Sequence, residues 1–418
     1  MPLPMFPVSS RLTYAALWLR KQHAGQNRLN SISAAAFLVF VVASFFIRGH
    51  ALPVGMIVLT AVLALLSGAA AAASAQNAWL GLFGVFFGAW IALGGMVGSP
   101  GYDMSDFFNL VLLGAFFLSM AQVSCALSTR QILSIIAIAG GSSACAAILQ
   151  HIVVAGDVFD RLTPLGRGRN PIPGAGGFGI ALIAFAALWL DRPSVRRFAS
   201  LHLVLIAMLL AGLAWTQSRA PILALGLALP LALWLSRSRG AAAVLLACGG
   251  AWLVITGLGV FEPMIKGVIC GSDADWCRPS YRGEIWGWVR DQIALHPVLG
   301  TGPSFRFPRT WMSHPHNGLF GIAMYYGLVA LAAFWAMIGF YARQVTRQED
   351  QSLRFFGLAS LVFSFGYMGT DLSNPFAFFN MHYLFLWLPF FLVLGSRRAS
   401  VRMEGGVSSP GSSGLQHI

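Results

Sequence analysis

The chain has 418 residues, of which 57% are hydrophobic and only 10% charged, with a mean hydropathy of +0.71. Soluble domains carry about 25% charged residues, so a soluble globular enzyme is excluded. The net charge of +13 then reads as the basic face of a membrane protein among anionic lipids, not as affinity for nucleic acid.

Apolar runs of roughly 18 residues or more, each able to cross about 30 Å of hydrocarbon as a helix, recur along the sequence. They predict an all-α, polytopic integral membrane protein of about 12 transmembrane helices with one large outer loop. Residues 1–30 read as a cytoplasmic N-terminal segment, its apolar Leu12–Leu19 lying on the membrane surface between flanking bases. Spans follow near 31–47, 52–73, 78–98, 107–127 and 132–155. No small-residue cleavage site follows the first, so it is not a cleavable signal.

The next connection, Gly156–Pro173, carries Arg161, Arg167 and Arg169 and leads into a span near 174–190. That span opens with Gly174–Gly179, "GAGGFG", a formal match to a dinucleotide fingerprint. Such a site needs a strand before it and a helix after it, so these are helix-packing glycines. Spans near 201–215 and 220–235 flank the tight turn "TQSRAP", and a span near 241–261 leads into the only long loop. After it come spans near 317–341, 353–371 and 375–395. Residues 31–395 thus form one transmembrane domain, with its loop at about 262–316. The Gly/Ser-rich residues 396–418 read as a disordered cytoplasmic tail.

With the N-terminus in the cytoplasm, sixteen of the 27 Lys+Arg but only four of the 14 acids fall on the inner side. That is the asymmetry of the positive-inside rule, and it places both termini inside and the long loop outside. Cys270 and Cys277, in "CGSDADWC", then lie in an oxidising space and are a disulfide candidate. Closure would stabilise the loop by roughly 2.5 kcal/mol; two free thiols are the alternative. Cys125, Cys145 and Cys248 fall in apolar spans and read as small buried residues. Asp273 and Asp275 resemble a cation-holding pair but sit among loop residues, and His314-Pro315-His316 lacks a nearby third ligand, so no metal site is expected. No Walker-type phosphate loop occurs either, so no nucleotide or other cofactor is expected.

Where apolar runs leave the membrane on the outer side, arginines, aromatics and "HPHN" crowd together. Arg219 sits at a turn between two spans, Arg282 opens the amphipathic "YRGEIWGWVRDQI", and His316 starts the tenth span. Arginine at a span end is often only an interface anchor. Two of them on one face also suit bidentate pyrophosphate binding. An imidazole at the interface suits a general base titrating near pH 6–7.

Ser218-Arg219-Ala220, then Arg282, Trp286, Pro297, Leu299, Gly300 and Gly302, then His316-Asn317 resemble the signature region of the O-antigen ligase/polymerase superfamily, over roughly residues 210–335. That family has a Ser-Arg-Gly turn, so Ala220 is a departure. The resemblance implies a bacterial inner-membrane glycosyltransferase with its active site facing the periplasm, taking glycan from undecaprenyl pyrophosphate without metal or ATP. The chain looks most like the ligase that caps the lipid A–core acceptor in lipopolysaccharide assembly. The alternatives are the O-antigen polymerase, a protein O-oligosaccharyltransferase, and a non-enzymatic polysaccharide transporter. By the same resemblance His316 is the catalytic base of a single, inverting displacement, and Arg219 and Arg282 hold the donor pyrophosphate. Arg167, Arg169, Asn317 and Trp286 are candidate substrate-binding residues. The partners implied are the lipid-linked glycan, the lipid A–core and the surrounding membrane lipids.

Overall fold

A computed structural model describes residues 8–97, 101–154, 160–168, 170–190, 199–237, 240–264, 281–308 and 312–396, with side chains from residue 25 onward. The regular structure among the described residues is all helical, in one bundle. In chain order the helices are α1 (Val8–Phe46), α2 (Ala51–Leu66), α3 (Ala69–Gln76), α4 (Ala78–Met96), α5 (Met104–Ala126), α6 (Thr129–Val154), α7 (Pro171–Leu190), α8 (Ala199–Trp215), α9 (Arg219–Leu235), α10 (Ala241–Val260), α11 (Arg282–Leu295), α12 (Gly318–Thr346), α13 (Gln351–Met368) and α14 (Leu388–Ser396).

The expected count of about 12 transmembrane helices is not what the bundle contains. Among the described residues seven helices are long and apolar enough to cross a membrane, or eight if one bent pair counts as a span. The bent pair is Ala51–Leu66 with Ala69–Ala75, at 89° to each other. The chain turns there at Gly68, whose φ of 74° is a left-handed conformation costly for any other residue. Ser200–Trp215 and Arg219–Leu235 are apolar but short; seventeen residues rise only about 26 Å. Helix α13 is buried along almost its whole length and packs against α7, α9, α10 and α14. Its eighteen residues open with Gln351, Ser352 and Arg354, so it falls short of a span by composition, not by length. The run near 375–395 likewise resolves into turns, a wide helical turn at Tyr383–Trp387 and the short α14. The unbroken α1 joins residues 8–30, the described part of the expected N-terminal segment, to the first span, Gly25–Phe46.

The outer surface matches a membrane environment. Val85, Met96, Val153, Leu246 and Leu253 are all well exposed, a density of large apolar side chains that water would not tolerate. Cys125 is also exposed and Cys145 half-buried, against the expectation that both are buried; only Cys248 is fully enclosed. Gly174–Gly179 do pack tightly at the start of α7, all of them buried. Cys270, Cys277, Asp273, Asp275, Arg169 and the C-terminal tail lie outside the described residues.

One end of the bundle gathers the connections that matter for function. The segment at 160–168 docks on the α8–α9 turn, where the Leu162 amide donates to the Trp215 carbonyl at 3.0 Å. The segment Pro297–Gly302 runs along α12 where that helix is broken at Gly327 (φ 84°, ψ 172°). The break frees carbonyls, and the amides of Thr301, Gly302 and Leu328 close the gap by donating to Met324, Tyr325 and Pro297 at 2.8–2.9 Å. Gly300 and Gly302 both have positive φ, and a Cβ on either would collide with backbone. The Pro-x-Leu-Gly-x-Gly stretch is therefore a docking device that seats the loop on the kinked helix.

Candidate functional site

The termini of five helices meet at that end. Arg219 is the first residue of α9. Glu262 follows the end of α10, Arg282 is the first residue of α11, and His314, His316 and Asp371 lie on the turns before α12 and after α13. Arg219 Nη2 is 3.0 Å from Glu262 Oε1, and Arg282 Nη1 is 3.2 Å from Glu262 Oε2. Glu262 is only 7% exposed, so two guanidinium groups from separate helices converge on one buried carboxylate. Arg219 remains open to solvent on its other side, at 49% side-chain exposure.

The histidines stack beside this cluster, with ring centroids 3.7 Å apart, and the His316 amide donates to His314 Nδ1 at 3.2 Å. Burial, then His314, then Arg282 push His316 down to about 3, so its imidazole is neutral at physiological pH. That replaces the expectation of titration near pH 6–7. Burial also lowers His314 and raises Asp371, against their mutual attraction. Both partners of that pair are thus driven toward neutrality.

The ligand atoms of His314, His316 and Asp371 all lie within 4.8 Å of one another, so the third group that the sequence did not reveal is present. A neutral His314 ring that accepts the His316 amide at Nδ1 carries its hydrogen on Nε2. It has no free lone pair for an ion unless that hydrogen bond is given up. The trio therefore fits a hydrogen-bonded cluster better than an ion cage.

The backbone at this site is strained. Among the described residues four non-glycines have φ near +50°: Gln217, Tyr281, His316 and Leu372. They precede Arg219 by two residues, precede Arg282, form the base candidate itself, and follow Asp371. Left-handed backbone at ordinary residues costs about 1–3 kcal/mol each and collects where function over-determines the geometry.

The remaining candidates are placed differently. Asn317 is fully buried and caps α12. Its Oδ1 accepts from the Phe320 amide and Trp252 Nε1, both at 3.1 Å, and its Nδ2 donates to Thr256 Oγ1 at 3.2 Å and the Gly369 carbonyl at 3.0 Å. All four of its hydrogen-bonding positions are filled, which makes it the anchor of the His316 turn. Trp286 is buried too, and its Nε1 donates to the Pro315 carbonyl at 3.0 Å. It holds the same turn from the other side. Arg167 donates to the Arg48 and Phe379 carbonyls at 3.2 and 2.7 Å, away from the Glu262 cluster, and burial lowers its pKa.

Sequence reading missed Glu262 and Asp371. Each is a single acid where an apolar run ends ("GVFEP", "GYMGTDLS"). A carboxylate embedded in apolar sequence is itself a signal of function or pairing.

No curated protein shows significant similarity to the chain. Residues 203–335, which include Arg219, Glu262, Arg282, His314 and His316 and nearly coincide with the stretch of sequence resemblance, match the family model for O-antigen ligase. Over that part of its length the chain is similar to the O-antigen ligase family.

Proposed function

We propose that the protein transfers O-antigen glycan from undecaprenyl pyrophosphate to the lipid A–core acceptor at the periplasmic face of the inner membrane. The observation that carries this reading is the convergence of Arg219 and Arg282 on Glu262 beside a neutral, buried His316. The donor sugar is already activated by its leaving group. Catalysis then needs charge stabilisation on the departing pyrophosphate and a base for the acceptor hydroxyl. Two guanidinium groups supply the first and His316 the second. The acceptor oxygen forms its bond to the anomeric carbon as the bond to the phosphate oxygen breaks. His316 takes the hydroxyl proton, and one such displacement inverts the anomeric centre.

The experiment is transfer by purified full-length protein with lipid-linked O-antigen and lipid A–core in excess EDTA. Activity should persist, and its loss on chelation with recovery by a divalent ion would overturn the mechanism. In cells lacking the protein, uncapped lipid A–core should accumulate beside polymerised, carrier-linked O-antigen. Accumulation of single carrier-linked units would instead identify a polymerase.

Charge supports a periplasmic orientation of the site. At the opposite end of the bundle the described residues present Arg28, Arg130, Arg237, Arg343, Arg347 and Arg354 against Glu349 and Asp350. At the site end bases and acids are balanced, which the positive-inside rule assigns to the outer side. An Asp291→Cys variant, made in a background without native cysteines, should be labelled by an impermeant maleimide in cells whose inner membrane is intact. Labelling only after permeabilisation would reverse the orientation.

A further inference from the structure

We propose that Arg161 is a positioning residue for Arg219, clamping the Thr216–Ser218 turn in the strained form that presents that arginine to the donor. The inference rests on Arg219 binding the pyrophosphate, as proposed above. Arg161 Nε donates to the Thr216 carbonyl at 3.0 Å and its Nη2 to Ser218 Oγ at 3.3 Å. These two acceptors flank Gln217, whose φ is 50°. The planar guanidinium fork thus bridges the one left-handed residue in the turn, a geometry that a lysine ammonium cannot reproduce. Thr216 and Ser218 are buried, and the Leu162 amide bond to Trp215 anchors the segment that carries Arg161.

On the α8 side the turn is held by the Thr216 and Gln217 amides, which donate to the Gly212 and Ala214 carbonyls at 3.0 and 2.9 Å, and by Thr216 Oγ1, which donates to the Leu213 carbonyl at 2.7 Å; Arg161 ties it from the other segment. Ser218 occupies the N-cap position of α9 but makes no side-chain cap; its hydroxyl is turned toward Arg161 and the Thr216 carbonyl instead. Pro221 in the first turn of α9 has no amide to contribute. If Gln217 relaxed to a right-handed or extended conformation, Arg219 two residues later would lose its register with Glu262 and Arg282. Arg161 also lies outside residues 203–335, so the segment matching the family model does not include its own clamp.

The test compares variants of the full-length protein at matched membrane abundance, with kcat/KM for the lipid-linked donor as the readout. Arg161→Ala should lower it roughly tenfold, the scale of one unsupported left-handed residue. Adding Gln217→Gly should restore it to within about threefold of wild type, because glycine adopts positive φ without strain. An arginine that touched substrate itself would not be rescued by a change in the turn. Wild-type turnover in Arg161→Ala, or no rescue in the double variant, overturns the proposal. Arg219→Ala separates the two readings. If it is inactive while Arg161→Ala is not rescued, only the positioning role fails; if it is fully active, the pyrophosphate reading and this proposal fall together. Should Arg161→Ala accumulate poorly, Arg161→Lys, which can keep one of the two hydrogen bonds, should show a smaller loss with the same rescue.

Discussion

His316→Ala is expected to lower the rate of glycan transfer by about 10²–10⁴-fold at unchanged membrane abundance, the range for removing a positioned base. His314→Ala should cost far less. His314 accepts the His316 amide and so supports the left-handed turn, but it carries no proton in the reaction. The pH profile gives a second, independent check. In the free enzyme burial, His314 and Arg282 hold His316 at about 3, so it is already neutral far below physiological pH. The profile of kcat/KM, which reports the free enzyme, should therefore be flat with respect to this group from about pH 5 to pH 8, falling only as pH approaches the folded pKa. Donor binding changes the balance. A pyrophosphate on Arg282 offsets that arginine's repulsion and brings negative charge near the ring, both of which raise the imidazole pKa. The limb in kcat should thus lie at higher pH than the limb in kcat/KM, so the base strengthens once there is a leaving group to expel. Wild-type transfer by His316→Ala would end the assignment. A kcat/KM limb near pH 6–7 that disappears in the variant would keep the base but refute its desolvated environment.

How much of this was readable in advance depended on whether each feature is local. The all-helical membrane character was legible because apolar runs are local, though not the number of spans; Arg219, Arg282 and His316 stood out through the resemblance to the family signature. The break at Gly68 was not, because a glycine in an alanine-rich run can equally continue a helix. The enclosure of α13 was not legible either, since only its neighbours reveal that it faces protein. Asn317 and Trp286 stood out by position, but their work is to hold the His316 turn through Thr256, Gly369 and Pro315, contacts that no spacing rule contains. Glu262 and Asp371 were silent for the same reason. Glu262 is 43 residues from Arg219 and 20 from Arg282, and their convergence exists only once α9, α10 and α11 have packed.

Arg282→Ala and Arg219→Ala are each expected to reduce transfer roughly ten- to a hundredfold, the equivalent of about 1.5–3 kcal/mol for a lost charge-assisted contact to the leaving group. Glu262 complicates this reading and also supplies its control. An arginine paired with a buried carboxylate is exactly as well explained by neutralising that carboxylate, and removing one partner of such a pair is costly in itself. If neutralisation were the whole role, Arg282→Ala would fail because Glu262 is left under-compensated, and Glu262→Gln in the same protein would rescue it. If the arginines bind the donor, the double variant stays slow, because the group missing is the one that meets the phosphate. Glu262→Gln alone should then keep donor affinity at or above the wild-type level, since it releases both guanidinium groups from a competing anion. Arg282→Lys should recover only part of the loss, because the ammonium lacks the bidentate fork. Arg282 is the more enclosed of the two, with 20% side-chain exposure against 49% for Arg219, and its charge acts on His316 as well. Its replacement should consequently shift the kcat/KM limb of His316 upward, which replacement of Arg219 should not do. Full rescue of Arg282→Ala by Glu262→Gln would return both arginines to a structural ion pair and leave the pyrophosphate without a binding site.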